Sequence, residues 1–279
     1  MSTSRPIVVG YDGSPDANLA LKWAAQTARR RGTVVETVIV ATAPDPLVGD
    51  YHERGERLAA EWRDRAARIL KDIPFDQADV AIRHGPVVPE LLSAASRADM
   101  LVVGSRGHGL VTGSLTGSVS QHLARHAPCP VVVVRRPHTR DANRIVVGMD
   151  GSAESERALR FACGLADGQR VVAVHGYPAT STVTGSSDQV YSADNAHRIQ
   201  NADRLLSEWV AGARRDFPEV DVSTEAIPVS PVRALVDCSS TATLVVTGSR
   251  GRDAFADLLL GSVSQHVLRD AHCPVAVAR

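Results

Sequence analysis

One glycine-rich segment is written twice in this chain. Gly104-Ser105-Arg106-Gly107, followed after nine residues by Gly117-Ser118-Val119-Ser120-Gln121-His122, returns as Gly248-Ser249-Arg250-Gly251 and, after nine residues, Gly261-Ser262-Val263-Ser264-Gln265-His266. A lone G-x2-G-x9-G is cheap: at a glycine usage of ~7%, chance supplies it in roughly one chain of this length in ten. Two copies in register, inside longer matching segments, are not chance. The copies also share a start, Ile7-Val8-Val9-Gly10-Tyr11-Asp12-Gly13-Ser14 against Ile145-Val146-Val147-Gly148-Met149-Asp150-Gly151-Ser152. A chain of 279 residues therefore divides into two domains of ordinary size, expected at 1–140 and 141–279 and joined by the short basic stretch around Pro137.

Within the first copy, residues 7–10 form a β-branched run ending in Asp-Gly-Ser, and Ser14 followed by Pro15 gives N-cap and first-turn signals for a helix. Leu19, Trp23 and Ala24 suggest its buried stripe, and Gly32 its stop. A second strand is expected over 34–40, and a second helix with Leu58, Trp62, Ile69 and Ile73 on one face. The second copy repeats that face with Leu205 and Trp209. A third strand at 79–83, a third helix at 90–96, a fourth strand at 100–103, a fourth helix at 119–126 and a fifth strand at 131–134 complete the unit. Strands alternating with helices argue for an α/β fold: two tandem Rossmann-like, doubly wound domains, each with a five-stranded parallel sheet. The copies differ most before the second helix, where residues 181–196 of the second copy, rich in Ser, Thr and Gly, read as a surface loop or a mobile flap.

Acidic and basic residues balance at 31 each, which gives no sign of nucleic acid or an anionic membrane as a partner. Lys22 and Lys71 are the only lysines, so the basic charge is carried almost wholly by arginine. No apolar run approaches the ~20 residues of a membrane span, and the amino terminus enters the first strand without a signal-peptide apolar region. Cys129, Cys163, Cys238 and Cys273 form no C-x-x-C pair, which suits a reducing cytoplasm. Cys129 and Cys273, each before a proline, read as small buried hydrophobes. His122 and His126 stand one helical turn apart, but Asp270 replaces the second histidine in the other copy, so they read as helix-surface residues and no metal site is expected.

In a doubly wound sheet the ligand crevice opens beyond the carboxyl ends of the strands, where strand order reverses. The Asp12 turn and the Gly104 loop would both open there. Glycines at 104 and 107 remove side chains from the loop, so backbone N–H groups can close on an anion. Gly117-Ser118 would start a helix whose unpaired N–H groups suit a phosphate, with Ser118 and Ser120 as hydroxyl donors and Arg106 or Arg250 as cations. Val119 and Val263 stand where a Walker A loop needs lysine, and the dinucleotide fingerprint G-x-G-x-x-G is absent. Without that lysine or an obvious base to aim water, binding is better provided for than hydrolysis. For Asp12 the alternative is a plain turn residue capping the helix, and for the glycines a tight turn.

These motifs resemble the universal stress proteins, in the tandem two-domain form common in actinobacteria, and the resemblance spans nearly the whole chain. The diagnostic pattern of the ATP-binding members, G-x2-G-x9-G-[ST], stands unsubstituted in both copies. The resemblance implies that each domain holds ATP. Gly104, Ser105, Arg106, Gly107, Gly117, Ser118, Val119 and Ser120 would form one phosphate loop, and Gly248, Ser249, Arg250, Gly251, Gly261, Ser262, Val263 and Ser264 the other. Asp12 and Asp150 would fix the nucleoside half, Gly10 and Gly148 would lie beneath it, and the strand-two ends near Thr42 and Gly176 would meet adenine. Mg2+ would accompany the nucleotide, with no ligand evident in the sequence.

The expected function is that of a nucleotide-dependent stress-response regulator with little turnover, acting through an unidentified protein partner. The alternative is a slow ATP hydrolase or an adenylate-forming enzyme, although the S-G-G-x-D-S and H-x-G-H motifs of such enzymes are absent. A scaffold with vestigial sites is disfavoured by the intact glycines. The apolar last strands, 131–134 and 275–278, would lie at sheet edges and are expected to pair the two copies as a pseudo-dimer, with homodimerisation of whole chains left open.

Overall fold

A computed structural model describes residues 5–41, 50–74, 77–107, 117–136, 142–178, 188–252 and 259–279. The chain divides into two compact units, Met1–Arg136 and Pro137–Arg279. The first contains β1 (Ile7–Gly10), α1 (Pro15–Arg31), β2 (Val35–Ala41), α2 (Asp50–Lys71), β3 (Ala78–His84), α3 (Val87–Ala95), β4 (Met100–Gly104), α4 (Ser118–His126) and β5 (Val131–Val134). The second contains β6 (Arg144–Gly148), α5 (Ala153–Cys163), β7 (Arg170–Gly176), α6 (Asp188–Asp216), β8 (Val222–Ile227), α7 (Pro231–Ser239), β9 (Leu244–Gly248), α8 (Ser262–Asp270) and β10 (Val275–Ala278).

Each unit is a parallel sheet, ordered β3-β2-β1-β4-β5 in the first and β8-β7-β6-β9-β10 in the second. Strand order reverses between β1 and β4, and between β6 and β9. In each unit the crevice therefore opens at the end where the glycine loop begins. Parallel strands covered by helices on both faces read as continuous apolar runs, and β1, β5 and β10 are buried at every position. Full burial of side chains such as Leu21, Leu101, Leu206 and Leu268 stabilises the units by roughly 1.5–3 kcal/mol each before entropic costs.

Helix ends follow the expected chemistry. The Ser14 hydroxyl accepts the Ala17 N–H at 3.1 Å to cap α1, and Gly32 closes that helix at φ 61° in the left-handed region. α3 begins at Val87, earlier than expected, because Pro86 supplies its N-cap position without any side-chain bond that the sequence could advertise.

Two expectations are corrected. The buried faces of α1 and α2 are built chiefly from small residues, Ala17, Ala20, Leu21, Ala24, Ala25 and Ala28 in α1, and Ala59, Ala66 and Leu70 in α2. Leu19, Trp23, Trp62 and Ile69 are only half-buried, Leu58 is exposed, and Ile73 lies beyond the end of α2. Alanine lets each helix axis settle close to the sheet, so the larger apolar side chains cover the flanks. In the second unit Leu206 and Val210 are buried while Leu205 and Trp209 are half-buried, the same one-residue rotation of the face. The second correction concerns residues 181–196. Helix α6 begins at Asp188, so the latter part of that stretch is helical, while 181–187 lie outside the described residues. Few apolar residues mark those first turns, which hid them from a periodicity argument.

Candidate functional site

The turn after β1 and the loop after β4 are joined by one hydroxyl. Gly13 turns the chain at φ 76°, and the Asp12 carboxylate accepts the Ser14 N–H at 3.0 Å. Ser14, while capping α1, also donates its hydroxyl to the Arg106 carbonyl at 3.2 Å. The loop packs tightly on this turn. A Cβ placed on Gly104 would sit 2.8 Å from the Ala17 nitrogen, and one on Gly107 would overlap the Asp12 carboxylate. In the second copy a Cβ on Gly248 would lie 2.8 Å from Glu154 Cβ, and one on Gly251 2.5 Å from Asp150 Oδ2. Asp150 is held by the Ser152 N–H at 2.9 Å, the Ser152 hydroxyl at 2.5 Å and the Arg252 N–H at 3.1 Å. Asp12 therefore caps its turn and also stands against the glycine loop, so the two sequence readings of this residue are compatible.

The helix starts are arranged differently from what the motif alone suggests. The Gly117 N–H is consumed in closing the loop, donated to the Ser105 carbonyl at 2.7 Å, and Gly261 repeats this with Ser249 at 2.7 Å. The Ser120 hydroxyl donates to the Gly117 carbonyl at 2.9 Å, and that of Ser264 to the Gly248 carbonyl at 2.7 Å. Both serines are buried, and while they line the cavities their hydroxyls brace the loop. Ser118 and Ser262, at the first helical positions, are exposed. No side chain caps α4 or α8, whereas serines cap α1, α5 and α7. The first-turn N–H groups of α4 and α8 have no intrahelical acceptor, and they carry the positive end of the helix dipole.

The loop cations are anchored by acids from the neighbouring helix start. Arg106 lies 3.6 Å from Asp16, whose carboxylate also accepts the Ser105 hydroxyl at 2.6 Å. Arg250 lies 3.6 Å from Glu154. These pairs are largely exposed on the arginine side, so they orient the guanidinium at little energetic gain.

Each site opens onto a cavity, of about 470 Å3 in the first unit and about 700 Å3 in the second, within the range of small-molecule sites. Gly10, Asp12, Gly104, Ser105, Arg106, Gly107, Gly117, Ser118, Val119 and Ser120 line the first. Gly148, Asp150, Gly176, Gly248, Arg250, Gly251, Gly261, Ser262, Val263 and Ser264 line the second, which Ser249 does not reach. Thr42 lies outside the described residues. The strand register shows that the counterpart of Gly176 is Val40: Ile7 pairs with Val35 and Ile145 with Val171, which aligns Val38 with Val174 and Val40 with Gly176.

Sequence reasoning missed the apolar walls, made by Val38, Val40, Val87, Leu91 and Val103 in the first cavity and by Val174, Pro231 and Leu235 in the second. Their only signal was position, from mid-strand to the carboxyl ends of the strands and in the first two turns of α3 and α7. Gly10 and Gly148 make room for this wall: an added Cβ would lie 3.0 Å from Leu91 Cδ1 in one unit and 2.8 Å from Leu235 Cδ1 in the other. The lining brings together apolar walls, a carboxylate, and an uncapped helix start with an arginine. Such a lining offers contacts to an apolar group, a hydrogen-bond donor and an anion.

The model of the universal stress protein family matches residues 3–135 and again 142–279. A universal stress protein of Mycobacterium tuberculosis strain H37Rv is 32% identical over 296 residues, covering 100% of this chain and 97% of the relative. One from Mycobacterium bovis is 34% identical over 296 residues, covering 98% and 96%. The crystal structure of a universal stress protein from Archaeoglobus fulgidus shares the fold with a TM-score of 0.70 at 21% identity, covering 99% of this chain and 98% of that one. With the motif, the doubled parallel sheet and full-length relatives in agreement, the chain belongs to the universal stress protein family as a tandem two-domain member.

Proposed function

We propose that each unit binds one ATP and that the protein acts as a nucleotide-dependent regulator with little turnover. The observation that carries this reading is the pairing, in both units, of an uncapped helix start with a glycine loop on which a Cβ would strike a carboxylate or the neighbouring helix. Phosphates would lie on the first-turn N–H groups of α4 and α8, near Ser118 and Ser262 and within reach of Arg106 and Arg250. A carboxylate accepts hydrogen bonds and repels anions, so Asp12 and Asp150 would serve donors on the nucleoside half. Adenine would lie against the apolar walls beside Val40 and Gly176. Mg2+ would come with the nucleotide.

Little turnover follows from the chemistry available to the loop. Val119 and Val263 occupy the place of a phosphate-binding lysine, and the Asp12 and Asp150 carboxylates, each with one oxygen accepting a turn N–H, would face the nucleoside half rather than a water at the phosphates. The signal would then be the bound state, read by a protein partner. The buried free cysteines, Cys129, Cys163, Cys238 and Cys273, suit a reducing cytoplasm, and no helix among the described residues is long and apolar enough to cross a membrane. The apolar terminal strands β5 and β10 suit pairing of the copies with each other, or between chains, which sedimentation at several concentrations would test. The nucleotide reading is tested by calorimetry of ATP binding to the full chain and to the Gly117→Ala, Gly261→Ala double variant. Unchanged affinity in the double variant would refute the phosphate-loop assignment.

A further inference from the structure

The two cavities differ at one buried position beside the strand-order reversal. In the first unit Val103 stands next to Gly10, with its Cγ1 3.1 Å from where a Gly10 Cβ would be. The register of β6 on β9 places Thr247 at the same point beside Gly148. Thr247 lines the second cavity, is 3% exposed, and its hydroxyl has no hydrogen-bond partner among the described residues. A buried hydroxyl without a partner is costly in a folded chain, whereas valine of nearly the same shape would fill the position without that cost. The first unit has the valine.

We propose that Thr247 is a ligand-recognition residue of the second site, donating or accepting a hydrogen bond with a polar atom on the nucleoside half of the bound nucleotide. The first site, with Val103, makes no such bond, so the two sites differ in ligand preference although their phosphate loops match. This rests on the nucleotide reading above. Hydroxyl and methyl share one carbon in threonine, so rotation about χ1 turns the hydroxyl to the ligand without moving the backbone.

A buried threonine that serves only packing would not lose ligand affinity on conversion to valine. The test uses the full chain carrying Gly117→Ala, so that the second site is measured alone by calorimetry with ATP, with and without Thr247→Val. The expected result is ATP binding weakened about threefold to tenfold, together with a Tm of the ligand-free chain raised by a few degrees. Thr37→Val serves as the control. Thr37 is also fully buried with an unpartnered hydroxyl but does not line the first cavity, so its replacement should raise Tm and leave ATP binding unchanged. ATP affinity unchanged by Thr247→Val, while Gly261→Ala weakens binding about tenfold or more, would overturn the role of Thr247 and leave the nucleotide reading standing. No ATP binding at the second site of the otherwise unaltered chain would overturn both.

Discussion

Two glycines of one motif should respond oppositely to the same methyl group. At Gly117 the backbone has φ −71° and ψ 156°, open to any residue, and an added Cβ would meet its nearest atom, the Ser105 carbonyl oxygen, at 3.4 Å. Alanine there is sterically tolerated by the fold. It gains about 0.4–1 kcal/mol from reduced freedom of the unfolded chain and loses a comparable amount as a poorer N-cap, so Tm should barely move. The methyl group instead occupies the approach to the α4 N–H groups. Loss of one charge-assisted hydrogen bond costs about 1.5–3 kcal/mol, which is roughly 10-fold to 150-fold in affinity. At Gly104 the added Cβ would lie 2.8 Å from both the Ala17 nitrogen and the Asp16 carbonyl carbon, backbone atoms that cannot swing away. Gly104→Ala should therefore cost about 1–3 kcal/mol by overpacking and lower Tm by several degrees. Differential scanning calorimetry and ATP titration on the two variants separate the effects. If Gly117→Ala were the one that lowered Tm and spared ATP affinity, the division of the loop into a packing end and a binding end would be wrong.

Other perturbations test the surrounding structure. Gly151→Ala forces an L side chain to φ 76° and sets a Cβ 2.5 Å from Trp209 Cε2, so it should destabilise the second unit by about 2–4 kcal/mol, read by thermal melting. Ser14→Ala removes both the α1 cap and the bond to the Arg106 carbonyl and should cost about 1–2 kcal/mol in a denaturant titration. Burial, reinforced by Glu219, pushes the Cys163 thiol up to about 11. The folded state thus favours the neutral thiol, so its contribution is fully present below the unfolded value near 9 and is lost as pH rises toward 11. Stability should fall over that window, and less steeply in Cys163→Ala.

The order of elements and the parallel sheets were legible in the sequence because the repeat supplied every signal twice. Gly10, Asp12 and the loop glycines were legible for a related reason: each occupies a place where a side chain or a turn is geometrically constrained. What the sequence hid was the division of labour inside the motif. Nothing in the pattern distinguishes Ser118, exposed at the helix start, from Ser120, turned inward to brace the loop, since that depends on helical rotation at one residue. The helix faces were misjudged because large apolar residues draw attention, while the contact with the sheet is made by alanines. Thr247 was hidden most completely. A threonine in a strand is unremarked until the fold shows it buried beside a cavity with its hydroxyl unpartnered.

The most direct test of the central claim is the nucleotide content of freshly purified protein, released by acid and counted by chromatography against protein concentration, then repeated after incubation with ATP and Mg2+. Two ATP per chain are expected after incubation, falling to one in Gly117→Ala or in Gly261→Ala. No nucleotide before or after incubation would contradict nucleotide binding at the two glycine loops.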